Sequence, residues 1–216
     1  MLDPNSPDAL QFHGDLLVEV GRVKEALPIR QKLQALEPYV PVFNRNTAVV
    51  LWLNGQTDAA LGMLKALPEG NSLQSPALAG ILSGIGRYGE AANALLALAP
   101  GNEHHQEMIG EAVRLLRTAP AKIASPQTLP RLGSLGFAYL YVGAPNRVLE
   151  FYEDNVEVGY FPGVFVALLW HPSYAPVRKM ERFKAYARKA GLGDYWRARG
   201  WPDLCHPVGP DDFACA

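Results

Sequence analysis

ALQFHGDLLVEVGRVKEALPIRQKLQALEP (residues 9–38) and FNRNTAVVLWLNGQTDAALGMLKALPEGNS (residues 43–72) carry the same residues at the same intervals. Gly14, Gly21, Ala26 and Pro38 recur as Ala48, Gly55, Ala60 and Ser72, each 34 positions on, and only the last has lost its signature residue. Within the first stretch Leu10, Leu17 and Val20 keep helical spacing. Gly21 then offers a position that tolerates positive φ, as a helix C′ residue must. Ala26, Leu27, Leu33 and Leu36 form a second apolar stripe, and Pro38 stops it. The unit is therefore helix, turn, helix. Gly14 and Ala48 mark the place where the two helices cross most closely, since a larger side chain would hold them apart. A period of this length means that each hairpin buries its apolar face against its neighbour.

The pattern extends outward with decreasing fidelity. Pro41 opens the second unit as a first-turn proline, and Pro68-Glu69-Gly70-Asn71 breaks it. A third unit holds Ala79, Leu82, Gly86, Ala91, Leu95, Leu98 and Pro100; Gly55 and Gly86 are 31 residues apart, so its loop is shorter. A single amphipathic helix is expected over Glu103 to Arg117, with Met108, Ile109, Ala112, Val113 and Leu116 on one stripe. After a linker from Pro120 to Pro126, a degenerate fourth unit starts near Leu129, with Gly136, Tyr139, the turn residue Gly143, Val148 and Tyr152. A short apolar helix is expected over Phe161 to Trp170 and an amphipathic one over Val177 to Ala190, ending at Gly191. No strand-like alternation of any length is present. These features predict an all-α fold: a right-handed helical-hairpin solenoid of about four units over residues 1–160, and an irregular helical cap and tail over 161–216.

Composition narrows the function. Lys plus Arg number 20 and Asp plus Glu 21, for a net charge of −1. Neither a nucleic-acid footprint nor a polybasic membrane patch fits that balance. The longest apolar run, Tyr160 to Trp170, contains Pro162 and Gly163 and is too short to cross a bilayer. No basic and then apolar leader is visible at the N-terminus. The expectation is a soluble, cytoplasmic protein without a cofactor. Leu2-Asp3-Pro4-Asn5 reads like the turn between two units, which suggests a preceding repeat or domain boundary.

In such a stack the first helix of each unit faces the concave side. Its outward positions are the binding candidates: Gln11, Asp15 and Val18 in the first unit, Arg45, Val49 and Trp52 in the second, and Ser134, Phe137 and Tyr141 in the fourth. An arginine near a tryptophan makes a plausible peptide clamp, joining a charge-assisted bond to a rigid apolar wall. The alternative is that Trp52 packs under the next helix and Arg45 is only solvated. His104-His105-Gln106-Glu107 lacks the spacing of a metal motif, because adjacent histidines point about 100° apart on a helix. It reads as a solvated helix start. Cys205, His206, Asp211, Asp212 and Cys215 are zinc-ligand types without a tight knuckle spacing. A disulfide between the cysteines would close a short loop; two reduced thiols are the expectation. No nucleophile elbow or phosphate loop occurs. Gly84-Ile85-Gly86 ends a helix with no strand before it.

Across roughly residues 5 to 155 these units resemble tetratricopeptide repeats. The C-terminal stretch is more distinctive: Leu169-Trp170-His171-Pro172, Tyr174-Ala175-Pro176-Val177-Arg178, Arg182-Phe183, Gly191-Leu192, Tyr195-Trp196 and Gly200-Trp201-Pro202-Asp203-Leu204-Cys205. It resembles the end of the repeat regions attached to bacterial adenylate cyclase-like and winged-helix regulatory proteins. That resemblance implies a helical scaffold or sensor beside an output domain; no catalytic residue can be carried over. Physically, the aromatic tail should cap the last repeat, with Arg178, Arg182, Arg197 and Arg199 keeping its outside wet. The expected function is non-catalytic binding of a peptide, a protein or a neighbouring domain in the concave groove. The alternative is a small-molecule sensor whose pocket lies between the repeats and the C-terminal helices.

Overall fold

The computed structural model describes residues 3–68, 73–98, 101–159 and 163–216. Ser72, the Glu69 to Asn71 breaker, Pro100 and the start of the expected 161–170 helix lie outside the described residues. The chain is mostly helical. Three consecutive hairpins come first: α1 (Pro7–Glu19) with α2 (Val23–Leu36), α3 (Pro41–Leu53) with α4 (Thr57–Lys65), and α5 (Gln74–Gly84) with α6 (Tyr88–Leu96). Helix α7 (Glu103–Thr118) packs on α6. Ser6 caps α1 and Asn102 caps α7 through backbone amides of the first turn.

The repeat is visible atom by atom in the turns. Gly21, Gly55 and Gly86 have φ of 84°, 78° and 79°. In each turn the next residue donates its amide to a carbonyl five positions back: Arg22 to Leu17, Gln56 to Leu51, Arg87 to Leu82. The same bond joins Ala144 to Tyr139 after Gly143, whose φ is 77°. This is the Schellman closure that glycine makes cheap. The fourth unit keeps this turn although its first helix is a tight 3-10 helix, Gly133–Val142, followed by a 3-10 turn Pro145–Leu149 and α8 (Glu150–Glu157).

The C-terminal part departs from expectation in three ways. The amphipathic segment is broken into α9 (Ala175–Arg178) and α10 (Glu181–Lys189), then α11 (Leu192–Arg199). A two-stranded antiparallel hairpin ends the chain, β1 (Cys205–Val208) with β2 (Asp212–Cys215), so the protein is not purely helical. Four-residue strands are too short for alternation to be read from sequence. Cys205 and Cys215 face each other across it and form a disulfide, which replaces the expected reduced thiols.

The aromatic tail is folded, and it does more than cover the last unit. Trp196 is fully buried and donates Nε1–H to the Val20 carbonyl at 2.8 Å. Asp203 donates its amide to the Gly21 carbonyl, and its carboxylate accepts the Lys24 amide. A Cβ on Gly21 would lie 2.7 Å from Pro202 and 3.0 Å from Trp170. The tail is thus keyed to the turn of the first hairpin. At its other side Arg182 pairs with Glu153, and Tyr186 packs edge-on against Tyr152. One segment therefore ties the first hairpin to α8. Arg178, 2% exposed, holds the centre of this assembly by donating to the Leu169, His171 and Ala216 carbonyls.

Candidate functional site

The 3-10 helix Gly163–Trp170 packs on α1 and α3, across the side on which binding residues were expected. It settles the fate of the apolar candidates. Trp52 is 1% exposed and stacks on His171, with ring centroids 3.8 Å apart and planes 15° from parallel. Gly84 of α5 makes room for this stack: a Cβ there would come within 2.7 Å of Trp52 and 3.3 Å of His171. Val18, Val49 and Phe137 are buried as well. These residues belong to the core: Gly163–Trp170 lies on α1 and α3, and His171 covers Trp52. Burial and the neighbouring Arg178 push the His171 imidazole down to about 4, so it is neutral at pH 7, and its Nδ1 lies 2.7 Å from the Ser173 hydroxyl. Of the fourth-unit candidates, Ser134 and Tyr141 are half-buried. Tyr141 packs near Tyr88 and is pushed up by burial, with Ser173 pulling the other way.

The polar candidates have a different environment. Gln11 and Asp15 lie one turn apart on α1 and meet through a 2.5 Å bond from Gln11 Nε2 to Asp15 Oδ2. Between them reaches Arg30 of α2, 1% exposed, donating NH1 to Gln11 and NH2 to Asp15. Gly14 explains how it gets there. A Cβ at that position would lie 2.8 Å from Arg30 Nε. The small residue was legible in the sequence, but what crosses it is a guanidinium stem. Asn46 of α3 adds a 3.3 Å bond to Asp15 Oδ1.

Two charged groups flank this network without joining it. Arg45 precedes Asn46 on α3. It is half-buried, its Nε is sealed from solvent without a partner, and no carboxylate among the described residues lies within ion-pair distance. Burial lowers its proton affinity, Asp15 opposes that, and Arg30 adds to it; a guanidinium stays charged regardless. Glu19 lies one turn beyond Asp15 on α1. Burial and the Asp15 charge push its carboxyl up to about 7, against a smaller pull from Arg30. The Tyr186 hydroxyl of α10 is electrostatically coupled to it and has no hydrogen-bond partner. Arg30 Nε and Asn46 Oδ1 in the same network are likewise buried and unpartnered, whereas Asn44 Oδ1 is so on the other side of α3, beside Pro38 and α4. Elsewhere such atoms occur singly, at Trp52 Nε1, Ser83 Oγ and Trp170 Nε1. Native proteins leave few buried polar groups unpaired, and a concentration of them calls for a reason.

Of the residues that sequence reasoning singled out, the structure joins Gln11 and Asp15 through Arg30, while Arg45 is coupled to Asp15 electrostatically from outside that network. Sequence reasoning missed Arg30, Asn46 and Glu19. Arg30 lies on the second helix of its unit, which the concave-face rule passes over. The signal that could have found it is Gly14, a gap that some long side chain had to fill.

Other candidates are less organised. His104 and His105 sit in the first turn of α7, and among the described residues no group of His, Cys, Asp and Glu is placed to hold a metal. A cleft of about 650 Å³ between α7 and Pro130-Arg131 is lined by His104, Glu107, Met108 and Glu111. Its Arg131 and Glu111 are already paired, with Asp154 and Arg114. No described helix is long and apolar enough to cross a membrane. Comparison with protein-family models, with curated proteins and with solved structures finds no match.

Proposed function

We propose that this chain is a non-catalytic recognition module that binds a carboxylate-bearing ligand at the polar cluster of α1, α2 and α3. The observation that carries this is Arg45: a half-buried guanidinium with no counter-ion, beside a network whose own charges are matched. Holding a cation partly out of water costs free energy unless an anion arrives to pair with it. Arg30 fixes Asp15 and Gln11, so the floor of the site is pre-organised and little ordering entropy is lost on binding. The hairpins with their repeated glycine closures are consistent with a tetratricopeptide-type stack, the architecture the sequence resembles.

The ligand is a peptide end or a small carboxylate, recognised without chemistry on it. Of the two kinds, the small-ligand reading gains from the burial of Trp52, Val49 and Phe137, which withdraws these apolar side chains from an extended partner. The setting is a regulatory protein in which this module sits beside an output domain, as the C-terminal resemblance implies. The Cys205–Cys215 disulfide favours an oxidising compartment over the cytoplasm. Calorimetry with peptides carrying free C-termini tests the function. Binding that weakens on C-terminal amidation and in Arg45→Gln supports it; equal binding of acid and amide forms contradicts it.

A further inference from the structure

Away from Arg45, the repeat itself says what the outer stripe of α1 should meet. Ala9, Phe12, His13 and Leu16 share that stripe, and Val20 extends it at the helix end. Leu16 stands at the register of Val50, 34 positions on, and of Ile81, a further 31 on. All three are apolar. Val50 and Ile81 are each 1% exposed, in units that have a hairpin before them. Leu16 is 43% exposed and Phe12 73%.

What covers Val50 is the second helix of the unit before it. α2 packs on α3, where Asn54 donates Nδ2 to the Val23 carbonyl at 3.0 Å and Thr47 donates its hydroxyl to the Arg30 carbonyl at 3.4 Å. Residue 54 meets 23 while 47 meets 30, so the covering helix runs antiparallel. α4 covers α5 in the same manner, with Gln74 Nε2 donating to the Leu64 carbonyl at 2.8 Å. We infer that the α1 stripe docks an amphipathic helix of another protein, laid antiparallel over Phe12 and Leu16 as α2 lies on α3. A second copy of this chain has no such helix to offer. In each copy α2 is covered by α3, α4 by α5 and α6 by α7. α8 is covered by α10, where Tyr152 meets Tyr186 and Arg182 holds Glu153. The tail bounds the docking site at one end. Val20 is buried and its carbonyl accepts from Trp196, so the docked helix covers two turns of α1, from Ala9 to Leu16. Two turns fall short of a standard interface, and the contact is therefore transient. The docking helix needs apolar residues three and four apart, as Ala60, Leu61 and Leu64 are on α4.

The test uses the intact protein and a peptide of the α4 sequence, Gln56–Leu67, held helical by a side-chain lactam on its polar face. α4 is the helix that already covers a first helix in this chain. Isotope-labelled protein is titrated with the peptide and followed by NMR. Saturable shifts centred on α1 are expected. Leu16→Asp should weaken the affinity about tenfold or more, since its carboxylate would be buried against the apolar stripe of the peptide. Leu36→Asp, at a leucine of α2 that is also 43% exposed, should leave the affinity unchanged. Neither leucine is core, and thermal melts of the free variants check that both stay folded. Absence of saturable shifts, shifts centred away from α1, or equal affinity in the two variants overturns the inference. A dimer that forms with rising concentration and is dissolved by Leu16→Asp overturns it too, by making a second copy the occupant.

Discussion

Trp52 and Arg45 lie on one helix, two turns apart, and were expected on one binding face. Trp52 is sealed under His171, while Arg45 is left without a counter-charge. Their neighbours follow suit. Around Trp52 the groups are apolar and matched by the chain's own Val166–Trp170 stretch and Gly84. Around Arg45 they are polar, and matched only within the Gln11, Asp15, Arg30 and Asn46 network. The apolar half of the face has been used for folding. The polar half has been built at a cost that folding alone does not explain, because a buried ion pair is at best neutral against apolar packing.

The largest expected difference between the halves is in stability. Trp52→Ala should cost about 3–5 kcal/mol by opening a large cavity against His171 and Gly84. Trp52→Phe should recover most of that, since the indole N–H has no partner to lose. Denaturant unfolding checks both; a Trp52→Ala protein as stable as the wild type would mean that the C-terminal segment does not rest on α3.

Asp15→Ala comes next, at about 3 kcal/mol, because it leaves Arg30 buried and unpaired. Asp15 keeps some solvent contact, which holds the loss towards the low end of the range for buried pairs. A loss below about 1 kcal/mol, the scale of a surface pair, would show that Arg30 reaches water and that the network is not pre-organised.

The halves should also answer pH with opposite signs. His171 has a folded value below its unfolded one, so its contribution is present above about 6.5 and is lost as pH falls towards 4. Glu19 is raised, so the folded state holds its proton more tightly, and stability from this group is lost as pH rises from about 4.5 through 7. Thermal melts should show His171→Phe reducing the loss of stability on acidification and Glu19→Gln increasing stability at pH 8. Parallel curves for both variants and the wild type would remove the electrostatic distinction between the two halves.

Much of this was legible in the sequence. The glycine turns, the helical hairpins and three residues of the polar cluster follow from a period and from periodicity within it. The closure of the face was not. Nothing in Leu169-Trp170-His171 says whether those rings pack on the last unit or return to α3 and the Gly21 turn, since both partners offer apolar surface at helical spacing. Trp52 illustrates the same ambiguity: a groove aromatic and a core aromatic occupy the same register, and only the presence of a covering segment distinguishes them. The hairpin at Cys205 to Cys215 was hidden by its shortness.

Arg45→Gln should leave stability unchanged or raise it slightly, because it removes a half-buried charge that has no carboxylate partner among the described residues. Its effect should appear in binding instead. The decisive measurement is calorimetry of short peptides with a free C-terminal carboxylate against the wild type, Arg45→Gln and Arg87→Gln. Arg87 carries the same charge but is exposed and paired with Glu90. Loss of affinity by about tenfold or more in Arg45→Gln alone is the predicted result. Equal affinities in the two variants would contradict a site at Arg45.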